Sequence, residues 1–257
     1  MTHQRTLIVV PTFKEASNIR PLVERVLTLF NDIDVLIVDD ASPDGTAAEV
    51  RRAQQVFEGR LKLLERTGKG GRGSAVLAGF MQGLAEGYDL FFEMDADFSH
   101  DPAEIGGFLE KIKDYDMVLG SRYLPTSRIE KWGWKRTFFS RWANRYARFV
   151  LGIPISDYTN GFRCYRRSAI ASIDVSHIDS TGYVVLSEVA YQLHKQGKRI
   201  GEIPTIFVNR RRGISNLSLH EILEAFQSVL RIRWRYKGVS VQGSARVSCP
   251  VDCTAKK

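Results

Sequence analysis

Cysteine is scarce in this 257-residue chain. Only Cys164, Cys249 and Cys253 occur, an odd count that argues against a disulfide framework and for reduced thiols. Cys249 and Cys253 have no second ligand pair and lie in a polar terminus, so a plain tail is favoured over a metal site. No uninterrupted apolar run approaches the roughly 20 residues of a membrane-spanning helix. Residues 1–5 contain no apolar segment of signal-peptide length before the strand-like residues 6–10, so a cytoplasmic protein is expected. Two phosphate-binding signatures are also missing. No Gly-x-Gly-x-x-Gly follows the first apolar run, which argues against a dinucleotide enzyme, and Gly68-Lys69-Gly70-Gly71-Arg72-Gly73-Ser74 lacks the spacing of a P-loop. That run is either a tight loop that lets backbone approach a ligand or a flexible connection.

The net charge of +8 is unevenly spread. Residues 1–120 hold 13 Lys and Arg against 20 Asp and Glu, so the acidic front suits a cation-bound ligand and the basic remainder suits phosphates or an anionic surface. Short apolar runs at 7–10, 35–38, 61–64, 90–94 and 117–119 read as strands buried on both faces. Helices are expected between them. Ser17 or Asn18 would cap one reaching Phe30; Asp44-Gly45-Thr46 would open one to about Phe57; 71–86 and 102–113 supply two more. This alternation predicts an α/β fold with a mainly parallel, doubly wound sheet, whose ligands bind beyond the carboxyl ends of the strands. Further on, 157–163 reads as a polar loop, 182–196 as a helix, 200–208 as a strand and 218–236 as a C-terminal amphipathic helix. Residues 239–257 lack periodicity and are expected to be a disordered tail.

The unusual residues cluster at strand ends. Asp95-Ala96-Asp97 follows the apolar run Leu90-Phe91-Phe92, and its period of two points both carboxylates the same way. Together they would hold Mg2+ or Mn2+, which take oxygen ligands and complete their shells with phosphate oxygens and water. The alternative is a pair of solvated turn residues capping the helix at Pro102. Asp39 and Asp40 end the second strand, where they either accept hydrogen bonds from a nucleobase or ribose or cap the helix before Thr46. Phe13 offers an apolar surface nearby.

Taken as a set, Pro11-Thr12-Phe13-Lys14-Glu15, Val38-Asp39-Asp40-Ala41-Ser42-Pro43-Asp44-Gly45-Thr46, Met94-Asp95-Ala96-Asp97-Phe98-Ser99-His100, Gly120-Ser121-Arg122-Tyr123, Asp157-Tyr158-Thr159-Asn160-Gly161-Phe162-Arg163 and Arg210-x-x-Gly213-x-Ser215 resemble the family 2 glycosyltransferases of GT-A fold. Within these they are most similar to dolichol- or polyprenol-phosphate mannose synthases. The resemblance spans residues 6–236 and implies a nucleotide-binding half over about 1–123 and an acceptor- and membrane-facing half over about 124–238 of one domain. It implies nucleotide contacts at Pro11, Thr12, Phe13, Glu15, Asp39, Asp40 and Asp95. Metal binding would fall to Asp95, Asp97 and Ser99, with Asp97, Arg122 and Arg210 catalytic and the two arginines on phosphates. The pattern is broken at three places: Phe13-Lys14 replaces Tyr-Asn, Asn160 stands where Ser is common, and Asn216 stands where Lys is usual, which removes a cation expected near the reacting phosphates. Arg211 or Arg212 could replace that charge.

The implied reaction moves mannose from GDP-mannose to a polyprenyl phosphate, with inversion at the anomeric carbon. A UDP-sugar glucosyltransferase, or a transferase acting on another lipid phosphate or a saccharide, is the alternative. Nucleic-acid binding by the basic half would leave the acidic strand ends unexplained. Residues 135–151 carry Phe138, Phe139, Trp142, Tyr146, Phe149 and Val150 on one helical face and Arg141, Arg145 and Arg148 on another. Trp132 and Trp134 precede them. An interfacial helix binding the cytoplasmic membrane face peripherally is favoured over an ordinary helix packed on the sheet.

Overall fold

The computed structural model describes residues 4–180, 182–209 and 219–238. Strand and helix alternate as expected: β1 (Thr6–Thr12), α1 (Ala16–Leu29), β2 (Ile33–Asp39), α2 (Thr46–Gln54), β3 (Leu61–Glu65), α3 (Arg72–Ala85), β4 (Leu90–Glu93), α4 (Ile105–Lys111) and β5 (Met117–Ser121). The remainder comprises β6 (Arg128–Glu130), α5 (Trp134–Leu151), β7 (Arg163–Arg166), α6 (Arg167–Ile170), α7 (Val184–Lys195), β8 (Ile200–Pro204), β9 (Ile206–Val208) and α8 (Leu219–Arg235).

Seven strands form one sheet in the order β3-β2-β1-β4-β7-β5-β8, and β6 pairs with β9 in a second. Strand pairing within the large sheet is parallel except along β7, which runs antiparallel to β4 and β5. The chain steps outward from β1 through β2 to β3 and then returns to β4 on the other side of β1, which creates a switch point beyond their carboxyl ends. Alternation along β1 feeds both cores. Leu7 and Val9 pack with Phe80, Tyr165 and Val189 on one face, while Ile8 and Val10 pack with Ile19, Val23 and Phe92 on the other. Gly79 and Gly83 let α3 lie against the sheet, where added Cβ atoms would meet Val9, Leu7 and Phe91.

Several expected boundaries need correction. Neither Ser17 nor Asn18 caps α1; Glu15 holds the cap position and its carboxylate accepts a hydrogen bond from Asn18 Nδ2 at 2.7 Å. Helix α2 ends at Gln54, short of Phe57. The segment after Pro102 starts as a 3-10 turn capped by Asp101, not by Asp95 or Asp97. The expected strand over 200–208 breaks at Thr205, because β8 stays in the large sheet while β9 turns away to β6. Strand β7 falls at the end of the expected loop. Its first residue, Arg163, is fully buried because its guanidinium donates to the carbonyls of Asn160, Leu186 and Tyr158. Among the described residues no helix is long and apolar enough to cross a membrane. The expected tail at 239–257, with Cys249 and Cys253, lies outside the described residues, as do Arg210, Arg211, Arg212, Gly213, Ser215 and Asn216.

Candidate active site

The switch point gathers most of the strand-end residues singled out above. Pro11 and Thr12 close β1 opposite Val38 and Asp39. Asp39 ties the two strand ends together: its Oδ1 accepts from Thr12 Oγ1 at 2.9 Å and Ser42 Oγ at 2.6 Å, and its Oδ2 accepts from Ser42 N at 2.9 Å. Lys14 and Ala41 adopt φ of 63° and 54°, a conformation that costs a non-glycine residue energy and recurs at functional loops. The Phe13 ring is covered by Lys69, whose Nζ sits 4.1 Å from the ring centroid. Neither Asp39 nor Asp40 caps α2; Gly45 holds that position, and Asp44 accepts from Thr46 N at 3.2 Å.

Asp40 pins the glycine-rich loop. Its Oδ1 pairs with Arg66 at 2.6 Å, and its Oδ2 accepts the N–H groups of Gly70 and Gly71 at 3.0 and 2.7 Å. The loop is thus anchored beside β2, which favours a held backbone over a slack connection.

Beyond β4, Asp97 Oδ1 accepts from Ser99 N at 3.0 Å and from the Ser99 hydroxyl, so Ser99 supports this carboxylate directly. Asp95 Oδ1 accepts from Arg72 Nε at 2.8 Å. Burial disfavours the Arg72 charge, but Asp95 and Glu93 outweigh it and raise the pKa above the usual arginine value. Glu93, at the end of β4, is buried; burial pushes its carboxyl up, while Arg72, Arg163 and the Tyr165 hydroxyl at 3.0 Å oppose that. His100 lies beneath the pair. Its Nδ1 accepts from Asp95 N at 3.3 Å, which assigns the proton to Nε2, 2.8 Å from Asn160 Oδ1. Burial lowers its pKa, so the ring is held neutral. Asn160 completes the brace by donating Nδ2–H to Gly120 O at 2.6 Å, a bridge that needs both ends of an amide.

Arg122 is almost buried, at 7% exposure. Its Nε and Nη2 donate to Asp157 at 2.7 Å each, and Nη2 also donates to Thr159 Oγ1 at 2.7 Å. Burial pushes the Asp157 carboxyl up, but Arg122 outweighs it and holds the group below the usual range. Trp132 brings a second guanidinium close: Arg136 lies 4.2 Å and Arg122 5.3 Å from its ring. Sequence pattern alone gives no site role to Glu93, His100, Asp157, Arg72 or Arg136. A helix-opening Arg inside the glycine run was the visible signal for Arg72.

Asp95 and Asp97 fit Mg2+ or Mn2+, which are commonly held by one or two carboxylates and substrate phosphates. Among the described residues there is no larger His, Cys, Asp and Glu cluster that would form an all-protein cage. Helix α5 leaves Phe138, Phe139, Trp142 and Phe149 between 54% and 89% exposed and buries Asn144, Ala147 and Leu151. Tyr146 and Val150 instead pack against the core, so the six expected apolar residues do not share one outward face. Trp142 and Tyr146 also meet Phe226 of α8, at 5.0 and 4.6 Å between ring centroids.

Residues 7–174 match the family described as Glycosyl transferase family 2. The polyprenol monophosphomannose synthase of Mycolicibacterium smegmatis is 39% identical over 236 residues, covering 91% of this chain and 88% of that protein. The undecaprenyl-phosphate mannosyltransferase of Micrococcus luteus is 38% identical over 229 residues, covering 88% and 93%. The chain therefore belongs to glycosyltransferase family 2. Its fold resembles the glucosyl-3-phosphoglycerate synthase of Mycobacterium tuberculosis, solved with Mn2+, UDP and phosphoglyceric acid, with a TM-score of 0.65 at 16% identity over 90% of this chain and 78% of that one. That likeness defines a GT-A-like sheet flanked by helices.

Proposed function

We propose that this glycosyltransferase moves mannose from a nucleotide-sugar, GDP-mannose, to a polyprenyl phosphate at a membrane surface. The reading rests on near-full-length likeness, at 39% and 38% identity, to two proteins named for that transfer. In it, the β1 and β2 ends, with Pro11, Thr12, Phe13, Glu15, Asp39 and Asp40, receive the nucleoside. Asp95 and Asp97 hold Mg2+ or Mn2+, supported by Ser99. When bound there, the cation supplies positive charge where the nucleoside diphosphate departs.

The acceptor phosphate has its second ionisation near pH 6, so it is mostly anionic at neutral pH and requires no strong base. Positioning is the remaining need. Among the described residues Arg122 Nη1 makes no hydrogen bond, and Arg122 and Arg136 meet at Trp132, which supports a phosphate-orienting edge. The family resemblance implies the same role for Arg210. Direct attack at the anomeric carbon would convert an α-linked donor to a β-linked product. The exposed aromatics of α5 with Arg141, Arg145 and Arg148 would rest on an anionic lipid surface. A panel of labelled GDP- and UDP-sugars, scored by transfer to polyprenyl phosphate with each metal, tests the reading. Preferential transfer of mannose from GDP-mannose is expected, and preference for another sugar would overturn the donor assignment.

A further inference from the structure

Arg72 has no part in the reading above, yet its guanidinium rests against one of the two strand-end carboxylates. Nε lies 2.8 Å from Asp95 and Nη1 3.6 Å from Glu93, with the side chain 14% exposed. Both Nη atoms are buried and make no hydrogen bond among the described residues. Gly161 makes room for the group, since a Cβ there would strike Nη2 and come within 3.5 Å of Asp95 Oδ1. Arg72 also opens α3, where the positive end of the helix dipole disfavours a cation. Helix formation gives no reason for an arginine here. The neighbouring carboxylates do.

We infer that Arg72 is a resident counter-charge that weakens binding of a bare divalent cation at Asp95 and Asp97, so that the metal is taken up together with the nucleoside diphosphate. This rests on the donor reading proposed above. Glu93, Asp95 and Asp97 are three carboxylates at and beyond the end of β4, and the Arg72 and Arg163 guanidiniums lie beside the first of them. Among the described residues these five groups leave at most one negative charge for an entering dication, and Arg72 repels it. A nucleoside diphosphate brings several negative charges of its own, which restores the balance once both have entered. Arg72 stays fixed on Asp95 throughout and keeps that carboxylate oriented.

Electron paramagnetic resonance of Mn2+ with the full chain, alone and with GDP or UDP, tests this without relying on turnover. Wild type should bind Mn2+ roughly tenfold or more tightly when one of the diphosphates is present. Arg72→Met, which keeps an apolar stem and removes the charge, should bind Mn2+ alone roughly tenfold tighter than wild type, and its gain from nucleotide should shrink. Arg72→Lys should stay near wild type. Met-variant affinity for Mn2+ alone equal to or below wild type overturns the inference. If Arg72→Met does not fold by circular dichroism, the wild-type comparison decides: Mn2+ affinity independent of nucleotide overturns the inference while leaving the donor reading intact. Failure of wild type to bind either diphosphate under any metal condition removes the donor reading and this inference with it.

Discussion

Asp157 grips Arg122 through two hydrogen bonds of 2.7 Å, with the two side chains 0% and 6% exposed. Removing one partner of such a pair leaves the other charge buried and uncompensated. Asp157→Ala is therefore expected to cost about 3–5 kcal/mol in chemical denaturation. The Asp157 carboxyl titrates below its ordinary value in the fold, so its stabilisation is present above the unfolded value near 4 and is lost as pH falls through the folded one. The acid limb of the stability curve should flatten in the variant. An unchanged limb would mean that the pair does not carry acid sensitivity.

Asp40 gives a second prediction, because one carboxylate holds Arg66 and the Gly70 and Gly71 amides. Hydrogen bonds to a charged group contribute about 1.5–3 kcal/mol each. In Asp40→Ala the Gly70 and Gly71 amides should exchange faster with solvent, and donor affinity should fall by roughly tenfold. Unaltered exchange at both glycines would show that another group holds the loop.

Asp97→Asn tests the metal assignment. The amide oxygen can still accept the Ser99 N–H bond, so the fold should survive with an unchanged thermal midpoint. Transfer should nearly vanish, and chelation should do the same to wild type. Full activity of the variant would exclude Asp97 from the reaction, and full activity of wild type in chelator would exclude the metal.

Much of this layout was legible because buried parallel strands leave uninterrupted apolar runs, and because carboxylates next to such runs fall at a sheet edge. Residues 35–38 and 90–94 are of this kind. Strand β7 was not legible, since Arg-Cys-Tyr-Arg lacks an apolar run and its arginine is buried only through carbonyls brought from other segments. His100 and Asn160 stand 60 residues apart in sequence, so their contact exists only after β4 and the 157–163 segment come together. Arg72 is not legible in the sequence because glycine-rich runs read as backbone, and its partners Glu93 and Asp95 lie beyond an intervening helix.

The aromatics of α5 divide into two groups with different expected behaviour. Phe139 and Phe149 are 56% and 89% exposed, whereas Trp142 also meets Phe226. Phe139→Ser with Phe149→Ser should reduce sedimentation with anionic vesicles several-fold without lowering the unfolding midpoint. Trp142→Ser should affect both. Vesicle binding by the Phe double variant equal to wild type would remove α5 from the lipid contact.

The most direct test of the account is competition between acceptors. GDP-mannose labelled in the sugar is incubated with the protein, Mn2+, a polyprenyl phosphate in vesicles and an equal concentration of 3-phosphoglycerate, and the label is partitioned between organic and aqueous phases. The account predicts label in a mild-acid-labile, β-linked mannosyl lipid phosphate, absent when Asp97→Asn replaces wild type. Label carried by phosphoglycerate, with none in the lipid phase, would contradict it.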